Sequence, residues 1–184
     1  MCMPDVRPGT AWWALAWIDL KLKYSFKNFS VWQGRLPHWR AADVTYYVTF
    51  RHRRSLDDAE RRSLLRALVR PDSRKWDLLI ACVLPETTEL LFVVRSKVSG
   101  QPYELSDIVE KAKGKAGKEI IHNTGEKYPP FYSESYDRIV RDQAEFEERW
   151  LTILDSPVAA ELAEDPEGYE ALYVARNPTE PPMP

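Results

Sequence analysis

Two apolar runs at 78–84 and 90–94 flank a polar, proline-bearing break at 85–89. Short apolar runs on either side of such a break predict two neighbouring buried strands. A residue at the break would be held between rigid flanks, which suits a chemical site. The pattern therefore makes this strand pair the centre of the predicted fold.

One strand and one helix are predicted ahead of this pair. A β-branched and aromatic run at 44–50 is typical of a strand. Ser55 lies three residues before Asp58, which matches a capping box with Asp in place of Glu and predicts that a helix begins there. Leucines at helical spacing continue toward Pro71, where we expect the helix to end.

Two helices and one strand are predicted after the pair. Apolar residues at helical spacing over 105–121 predict the second helix, despite two glycines in its middle. A short strand is expected over 131–140. A last helix begins at Asp142, and Pro157 is expected to interrupt it.

The element order is thus β-α-β-β-α-β-α. Helices between the strands of one antiparallel sheet favour the α+β class, as a ferredoxin-like βαββαβ sandwich with an additional C-terminal helix. Many unrelated functions use this architecture, so the fold class alone does not assign an activity.

The length of 184 residues fits one domain with tails. We place an N-terminal extension at 1–33, a folded domain at 34–174 and a proline-rich disordered tail at 175–184. The extension carries tryptophans at 12, 13 and 17, and we interpret it as a disordered or peripheral segment.

The formal net charge of −2 gives no general attraction to nucleic acid, so such binding would need a local basic patch. Cys2 and Cys82 form neither a disulfide framework nor a zinc pattern, which favours a reducing cytoplasm. The apolar opening extends for only about eight residues before Asp19, too few to span a bilayer. We therefore predict no signal peptide and no membrane span.

Several segments, in this order and spacing, resemble one family over about residues 34–174. They are Arg35-Leu36-Pro37-His38-Trp39, Thr45 to Arg51, Val83-Leu84-Pro85 with Leu90-Leu91, Glu134 to Asp142, Pro157-Val158 and Glu164 to Tyr169. Together they resemble the single-tyrosine HUH transposases, and within them the REP-associated tyrosine transposases. The resemblance implies the ferredoxin-like fold, DNA transposition chemistry and a folded single-stranded DNA hairpin as partner. It is also compatible with a homodimer.

The resemblance further implies a metal site and a nucleophile, and this chain departs from both. The two metal-binding histidines of the family correspond to Thr87 and Glu89, a further ligand to Ser156, and the nucleophilic tyrosine to Thr152. A lone carboxylate does not assemble a site that polarises a phosphodiester. Threonine without an adjacent base is a poor nucleophile. We therefore expect no cofactor, and a divalent metal such as Mg²⁺ only if activity is retained.

Other residues could replace the missing chemistry. Glu89 could hold a metal together with Glu86 or Asp155, although a solvated carboxylate is the simpler interpretation. Tyr132 and Tyr136 are candidate substitute nucleophiles, but the resemblance implies that their strand serves packing and DNA proximity. Cys82 lies in an apolar run and is predicted to be core. The remaining histidines, His52 and His122, are predicted to be structural or exposed.

The basic residues are the stronger functional candidates. Binding of a single strand needs cations along the phosphates and aromatic rings for stacking. The predicted DNA-binding residues are Arg35, His38, Trp39, Arg51, Arg53, Arg54, Lys111, Lys113, Lys115 and Lys118. The lysines could instead form only the solvated face of their helix.

Three hypotheses follow from the sequence. The first is a transposase-derived pseudoenzyme that binds hairpin or other structured single-stranded DNA without cutting it. The second is an active metal-dependent nuclease or transposase with an altered ligand set. The third is a domesticated protein-interaction module, which would be favoured if the lysines of the second helix were buried or paired.

Overall fold

The computed structural model describes residues 27–33 and 37–176. In these ranges the strands are β1 Lys27–Gln33, β2 Pro37–Ala42, β3 Thr45–Arg51, β4 Trp76–Val83, β5 Thr87–Val94, β6 Tyr136–Ile139 and β7 Leu172–Val174. The α-helices are α1 Asp58–Val69, α2 Leu105–Thr124 and α3 Gln143–Ala159, and a 3-10 turn spans Pro166–Gly168.

The main sheet has five strands in the order β6-β3-β5-β4-β7, and every neighbouring pair is antiparallel. The succession β3-α1-β4-β5-α2-β6 gives the ferredoxin-like arrangement, with β5 inserted between β3 and β4. The predicted fold class, an antiparallel α+β sandwich with an additional C-terminal helix, is confirmed.

The helices cover both faces of the sheet. Lys113 of α2 lies over the ring of Phe50, and Arg149 of α3 lies over the ring of Tyr47. Phe50 and Tyr47 are three residues apart in β3, so their side chains point to opposite faces. Helices α1 and α2 pack against each other. Helix α2 thus covers one face, and α3 covers the other beside β4 and β5.

The core is centred on β4 and β5. Trp76 and Phe92 are completely buried, and their ring centroids are 4.5 Å apart. Strand β4 is buried along nearly its whole length because helices lie on both of its faces and β7 lies along its edge. A strand buried on both faces needs the continuous apolar run that the sequence has here.

The N-cap of α1 is Asp57, so the predicted cap at Ser55 was wrong. The Asp57 carboxylate accepts a hydrogen bond from the Glu60 amide at 2.9 Å, and the Glu60 carboxylate accepts one from the Asp57 amide at 3.0 Å. This reciprocal pair needs an acidic residue three positions after the cap that is long enough to reach back. Glu60 meets this requirement better than Asp58 does.

Helix α3 continues through Pro157, which the sequence analysis expected to interrupt it. Proline cannot donate to the carbonyl four residues earlier, which is that of Ile153. The Ser156 hydroxyl donates to this carbonyl at 2.8 Å and satisfies the acceptor that Pro157 leaves open. This local hydrogen bond was not apparent from the propensity of proline alone.

The β1-β2 hairpin was not predicted. Strand β1 falls within the segment assigned to an N-terminal extension at 1–33, so that boundary lies between two paired strands. The Asp137 carboxylate of β6 holds the hairpin, since it accepts hydrogen bonds from His38 and, at 2.6 Å, from Arg40. The tryptophans at 12, 13 and 17 lie outside the described residues, as does most of the predicted tail.

Replacing the observed cap tests the start of α1. We expect Asp57→Ala to lower the free energy of unfolding by about 1 kcal/mol, the usual cost of losing an acidic N-cap. Ser55→Ala, the matched control at the other candidate position, should change it by less than about 0.5 kcal/mol. Urea denaturation followed by circular dichroism measures both. Equal effects of the two substitutions would contradict this assignment of the cap.

Candidate nucleic-acid interface

The end of β3 places three arginines at one corner of the sheet, and we call Arg51, Arg53, Arg54 and the neighbouring Tyr132 the basic corner. The amide of His52 donates to the carbonyl of Glu86 at 2.8 Å. The amide of Arg53 donates to the carbonyl of Pro130 at 2.7 Å. The chain is thus held between the β4-β5 turn and the segment that leads into β6.

The buried side chain of His52 joins the basic corner to the turn between β4 and β5. Its Nδ1 lies 2.9 Å from the carbonyl oxygen of Pro85 and its Nε2 lies 2.9 Å from the hydroxyl of Thr88. A carbonyl can only accept, so Nδ1 carries the proton and Nε2 accepts from Thr88. The ring lies against Phe50 and Phe131, and burial lowers the pKa of His52. This buried, hydrogen-bonded histidine is structural, as predicted.

Arg53 and Tyr132 form the aromatic part of the basic corner. The guanidinium carbon of Arg53 lies 5.4 Å from the centroid of the Tyr132 ring, and its Nε donates to the carbonyl of Phe131 at 3.1 Å. The Tyr132 side chain is half exposed. Arg51 is exposed, and neither Arg51 nor Arg53 pairs with a carboxylate within the described ranges. Arg51 and Arg53 therefore line one cleft together with the half-exposed Tyr132 and with Glu86, which pairs with neither arginine in the described ranges.

The Arg54 side chain forms ion pairs with two carboxylates of the same chain. Two of its nitrogens donate to the two carboxylate oxygens of Glu60, each at 2.7 Å, and its Nε donates to Glu126 at 2.7 Å. These hydrogen bonds, those to Glu60 foremost, raise the pKa of Arg54 above its ordinary value. The charge is neutralised, and the side chain joins the start of α1 to the end of α2. We therefore remove Arg54 from the DNA-binding candidates.

Lys113 was predicted to bind DNA, but its ammonium group is bonded within the protein. Its ammonium donates to the carbonyls of Tyr132 at 3.0 Å and Ser133 at 2.8 Å, and pairs with Glu110 at 2.7 Å. Burial lowers the pKa of Lys113. The lysine anchors the backbone behind Tyr132, so it positions the basic corner and is not available to a phosphate.

The other lysines of α2 remain at the surface. Lys111 pairs with Asp107 at 3.6 Å, and both side chains are exposed. Lys115 and Lys118 are exposed and have no ion pair in the described part of the chain. Only these last two of the four predicted lysines keep an unpaired charge.

His38 and Trp39, from the predicted basic-aromatic segment ahead of β3, pack against the protein. His38 is buried and bonded to Asp137, and Trp39 is partly buried with its ring edge-to-face against Phe29, 5.8 Å between centroids. Arg35 lies outside the described residues. Neither His38 nor Trp39 is placed as an exposed DNA contact.

The two strand positions at which the resembled family has histidines lie on the sheet face that α3 covers. The hydroxyl of Thr87 lies 3.3 Å from that of Thr49, and the carboxylate of Glu89 accepts a hydrogen bond from the hydroxyl of Tyr47. Strand pairing places Glu89 between Thr49 on β3 and Cys82 on β4. At these two positions one carboxylate, that of Glu89, lies among hydroxyl groups.

The two α3 positions that correspond to the family's nucleophile and further ligand, Thr152 and Ser156, form hydrogen bonds within the helix. The hydroxyl of Thr152 donates to the carbonyl of Glu148 at 2.7 Å, and that of Ser156 donates to Ile153. Among the described residues, no group of three or more His, Cys, Asp or Glu side chains is placed to hold a metal ion. Since Glu89 is the one charged oxygen donor in this set, these residues do not fit a catalytic divalent metal.

The substitute nucleophiles are both partly exposed. Tyr136 is 46% exposed and pairs across the sheet with Thr49, and the Arg53 guanidinium lies over one face of the half-exposed Tyr132 ring. Cys82 is buried in the core as predicted, and burial raises the pKa of its thiol to about 11.

Tyr47 and Arg149 were not predicted as site residues. The guanidinium carbon of Arg149 lies 5.0 Å from the Tyr47 ring centroid, and its buried Nε has no hydrogen-bond partner. Tyr47 donates to Glu89, and burial raises its pKa. Tyr47 and Glu89 lie 42 residues apart, and the sequence alone contains no signal that joins them.

The sequence matches no family model and no curated protein. Two solved structures match part of this chain. One is a REP-associated tyrosine transposase bound to a REP hairpin, at 13% identity and a TM-score of 0.53, over 72% of this chain and 77% of that chain. The other is a Deinococcus radiodurans R1 protein assigned as a transposase, at 13% identity and a TM-score of 0.42, over 65% of this chain and 94% of that chain. The first likeness establishes the fold.

No described helix has both the length and the apolar composition needed to cross a membrane.

The buried His52 makes a pH-dependent contribution to stability. Because its pKa is lowered in the folded state, the unfolded chain binds more protons between that pKa and the ordinary value of about 6.5. Stability is therefore lost as pH falls below about 6.5, and the loss ends below the folded pKa. We expect His52→Gln to reduce the difference in unfolding free energy between pH 7.5 and pH 5.5.

A nuclear magnetic resonance titration of the imidazole protons checks the same point directly. The His52 resonance should titrate below about 6.5, while a midpoint at or above that value would contradict the structural role.

Proposed function

We propose that this chain is a transposase-derived protein that binds structured single-stranded DNA, in the form of a hairpin, and does not cut it. The observation that carries the proposal is the pair of uncompensated guanidiniums, Arg51 and Arg53, beside the accessible ring of Tyr132. Cations that neutralise phosphates and rings that stack on bases are the two requirements for binding a single strand.

The choice of DNA as partner has two further supports. The fold resembles that of a transposase bound to a REP hairpin. The basic corner is also held rigidly, because the backbone on both sides of His52 and Arg53 is hydrogen-bonded to neighbouring segments. A rigid surface loses little conformational entropy when it binds, which favours affinity.

The absence of cutting is supported by the chemistry at the sheet face. Glu89 is bonded to Tyr47, and the hydroxyls of Thr152 and Ser156 donate to helix carbonyls. An active nuclease with an altered ligand set would need at least a second charged ligand beside Glu89. Glu86 and Asp155, the alternatives considered, are exposed and do not complete such a group in the described part of the chain.

A protein-interaction module is the second candidate. It is favoured by the burial and pairing of Lys113, and by the surface ion pair of Lys111 with Asp107. A surface with fewer free cations would bind DNA less strongly and leave the helix face for a protein partner. The binding experiment below separates the two candidates.

Fluorescence anisotropy with a labelled DNA hairpin tests the proposal. We expect the full chain to bind the hairpin, and the logarithm of the affinity to fall linearly with the logarithm of salt concentration. Arg51→Gln/Arg53→Gln should weaken binding about tenfold and lower the salt slope by about one to two, because two phosphate contacts are removed.

Arg62→Gln/Arg66→Gln is the matched control. It removes two positive charges from arginines on the surface of α1, which pair with Glu170 and Glu119. It should leave the affinity nearly unchanged. If both double variants weaken binding equally, only general charge is involved and the basic corner is not the site. If the wild-type chain does not bind the hairpin at all, the interaction module becomes the better account.

A further inference from the structure

A second basic and aromatic surface lies at the opposite end of β4 and β5 from the basic corner. The amide of Arg95 donates to the carbonyl of Lys75 at 2.9 Å, and the amide of Tyr103 donates to the carbonyl of Arg95 at 3.0 Å. These two backbone hydrogen bonds place three chain segments side by side. Lys75, Arg95 and Tyr103 are thereby neighbours, although they are distant in sequence.

A tight turn adds Lys97 to this group. The amide of Lys97 donates to the carbonyl of Gln101 at 2.7 Å, and the amide of Gly100 donates to the carbonyl of Lys97 at 2.8 Å. Gly100 has a φ of +80°, a conformation that glycine adopts without the strain a side chain would cause. The turn returns the chain to Tyr103, so Lys97 is positioned by the backbone.

Two ammonium groups lie over the same ring. The Nζ of Lys97 is 5.6 Å and the Nζ of Lys75 is 5.9 Å from the centroid of Tyr103. Both distances are within the range of a cation-π contact. We call Lys75, Lys97 and Tyr103 the lysine-tyrosine patch. In the part of the chain that is described, neither ammonium has a carboxylate within 4.0 Å.

The carboxylates nearby do not neutralise the patch. Asp77 pairs with Arg95 at 3.2 Å, and Asp72 accepts hydrogen bonds from the amides of Ser73 and Leu78 and from the hydroxyl of Tyr173. Two further arginines lie in the adjoining turn, Arg70 and Arg74. Positive charge therefore exceeds negative charge here, unlike on α1, where the arginines are paired.

We propose that the lysine-tyrosine patch is a second phosphate-binding site that holds the backbone of the same DNA that the basic corner binds. This inference rests on the proposed function and extends it from one contact to two. Two uncompensated ammonium groups held in place on an aromatic ring favour a polyanion, and the exposed turn leaves room for one.

The distance between the two surfaces sets the size of the partner. Strand β5 connects them, and its eight residues span about 26 Å at about 3.3 Å per residue. Base pairs in a duplex are about 3.4 Å apart, so a partner that contacts both surfaces needs a stem of at least about eight base pairs. A stem of four base pairs reaches only one of them.

Anisotropy with two hairpins of equal loop and different stem, four and ten base pairs, tests this inference on the full chain. We expect the wild-type chain to bind the long stem more tightly. Lys75→Gln/Lys97→Gln should weaken binding of the long stem about tenfold and lower its salt slope by about one to two, and should leave the short stem unchanged.

Three further variants test whether the effect is specific to the lysine-tyrosine patch. Lys75→Arg/Lys97→Arg retains the charges and should bind the long stem as the wild-type chain does. Arg62→Gln/Arg66→Gln removes the same charge elsewhere and should also have little effect. Arg51→Gln/Arg53→Gln should weaken both hairpins, because both reach the basic corner.

The outcomes separate this inference from the proposed function. If the wild-type chain binds both hairpins and Lys75→Gln/Lys97→Gln binds the long one equally well, the patch is not a DNA site and the proposed function stands. If the wild-type chain binds neither hairpin, both are overturned. Binding of poly-glutamate that depends on Lys75 and Lys97, without an effect on DNA, would assign the patch to an acidic protein and overturn the inference.

Discussion

The antiparallel register of β5 between β3 and β4 is the constraint on which the rest of the structure depends. In this register Thr88, Leu90 and Phe92 lie on the face toward α2 and are buried there, and Thr87 and Glu89 lie on the face toward α3. Because side chains alternate, a shift of one residue would exchange the two sets and place a carboxylate in the apolar core. Packing therefore fixes the positions of the polar residues.

The same register joins the fold to the two basic surfaces. The turn before β5 accepts hydrogen bonds from His52, and the segment after β5 pairs with Lys75 and Tyr103. Each end of one buried strand thus holds a group of cations at a defined place. Ion pairing then decides which of these cations remain available: Arg54 is neutralised by Glu60 and Glu126, whereas Arg51 and Arg53 are not.

Much of the fold could be predicted from the sequence because the apolar runs are strong local signals. The order of four strands of the main sheet and the three helices, and the buried strand pair, followed from those runs, whereas β7 was not predicted. The cap at Asp57, the continuation of α3 through Pro157 and the β1-β2 hairpin could not, because each depends on a hydrogen bond or pairing that periodicity does not encode. In particular, the hairpin is fixed by Asp137, about a hundred residues away.

The candidate site was predicted less completely than the fold. The basic run after β3 was recognised, but Lys113 and Arg54 could not be separated from the free cations without knowing their partners. The lysine-tyrosine patch was missed because its members come from three distant segments. The charged residues can be counted in a sequence, but only the three-dimensional structure shows which of them are neutralised by a partner.

The central claim is that this chain holds DNA without the means to cut it. Intact-mass spectrometry of the full chain after incubation with a bound hairpin and Mn²⁺ tests it most directly, with the DNA strand measured in the same sample. The account predicts unmodified protein and full-length DNA under conditions in which anisotropy shows binding. A protein mass increased by a DNA fragment, located at Tyr132 or Tyr136, would contradict it, and so would a shortened DNA strand.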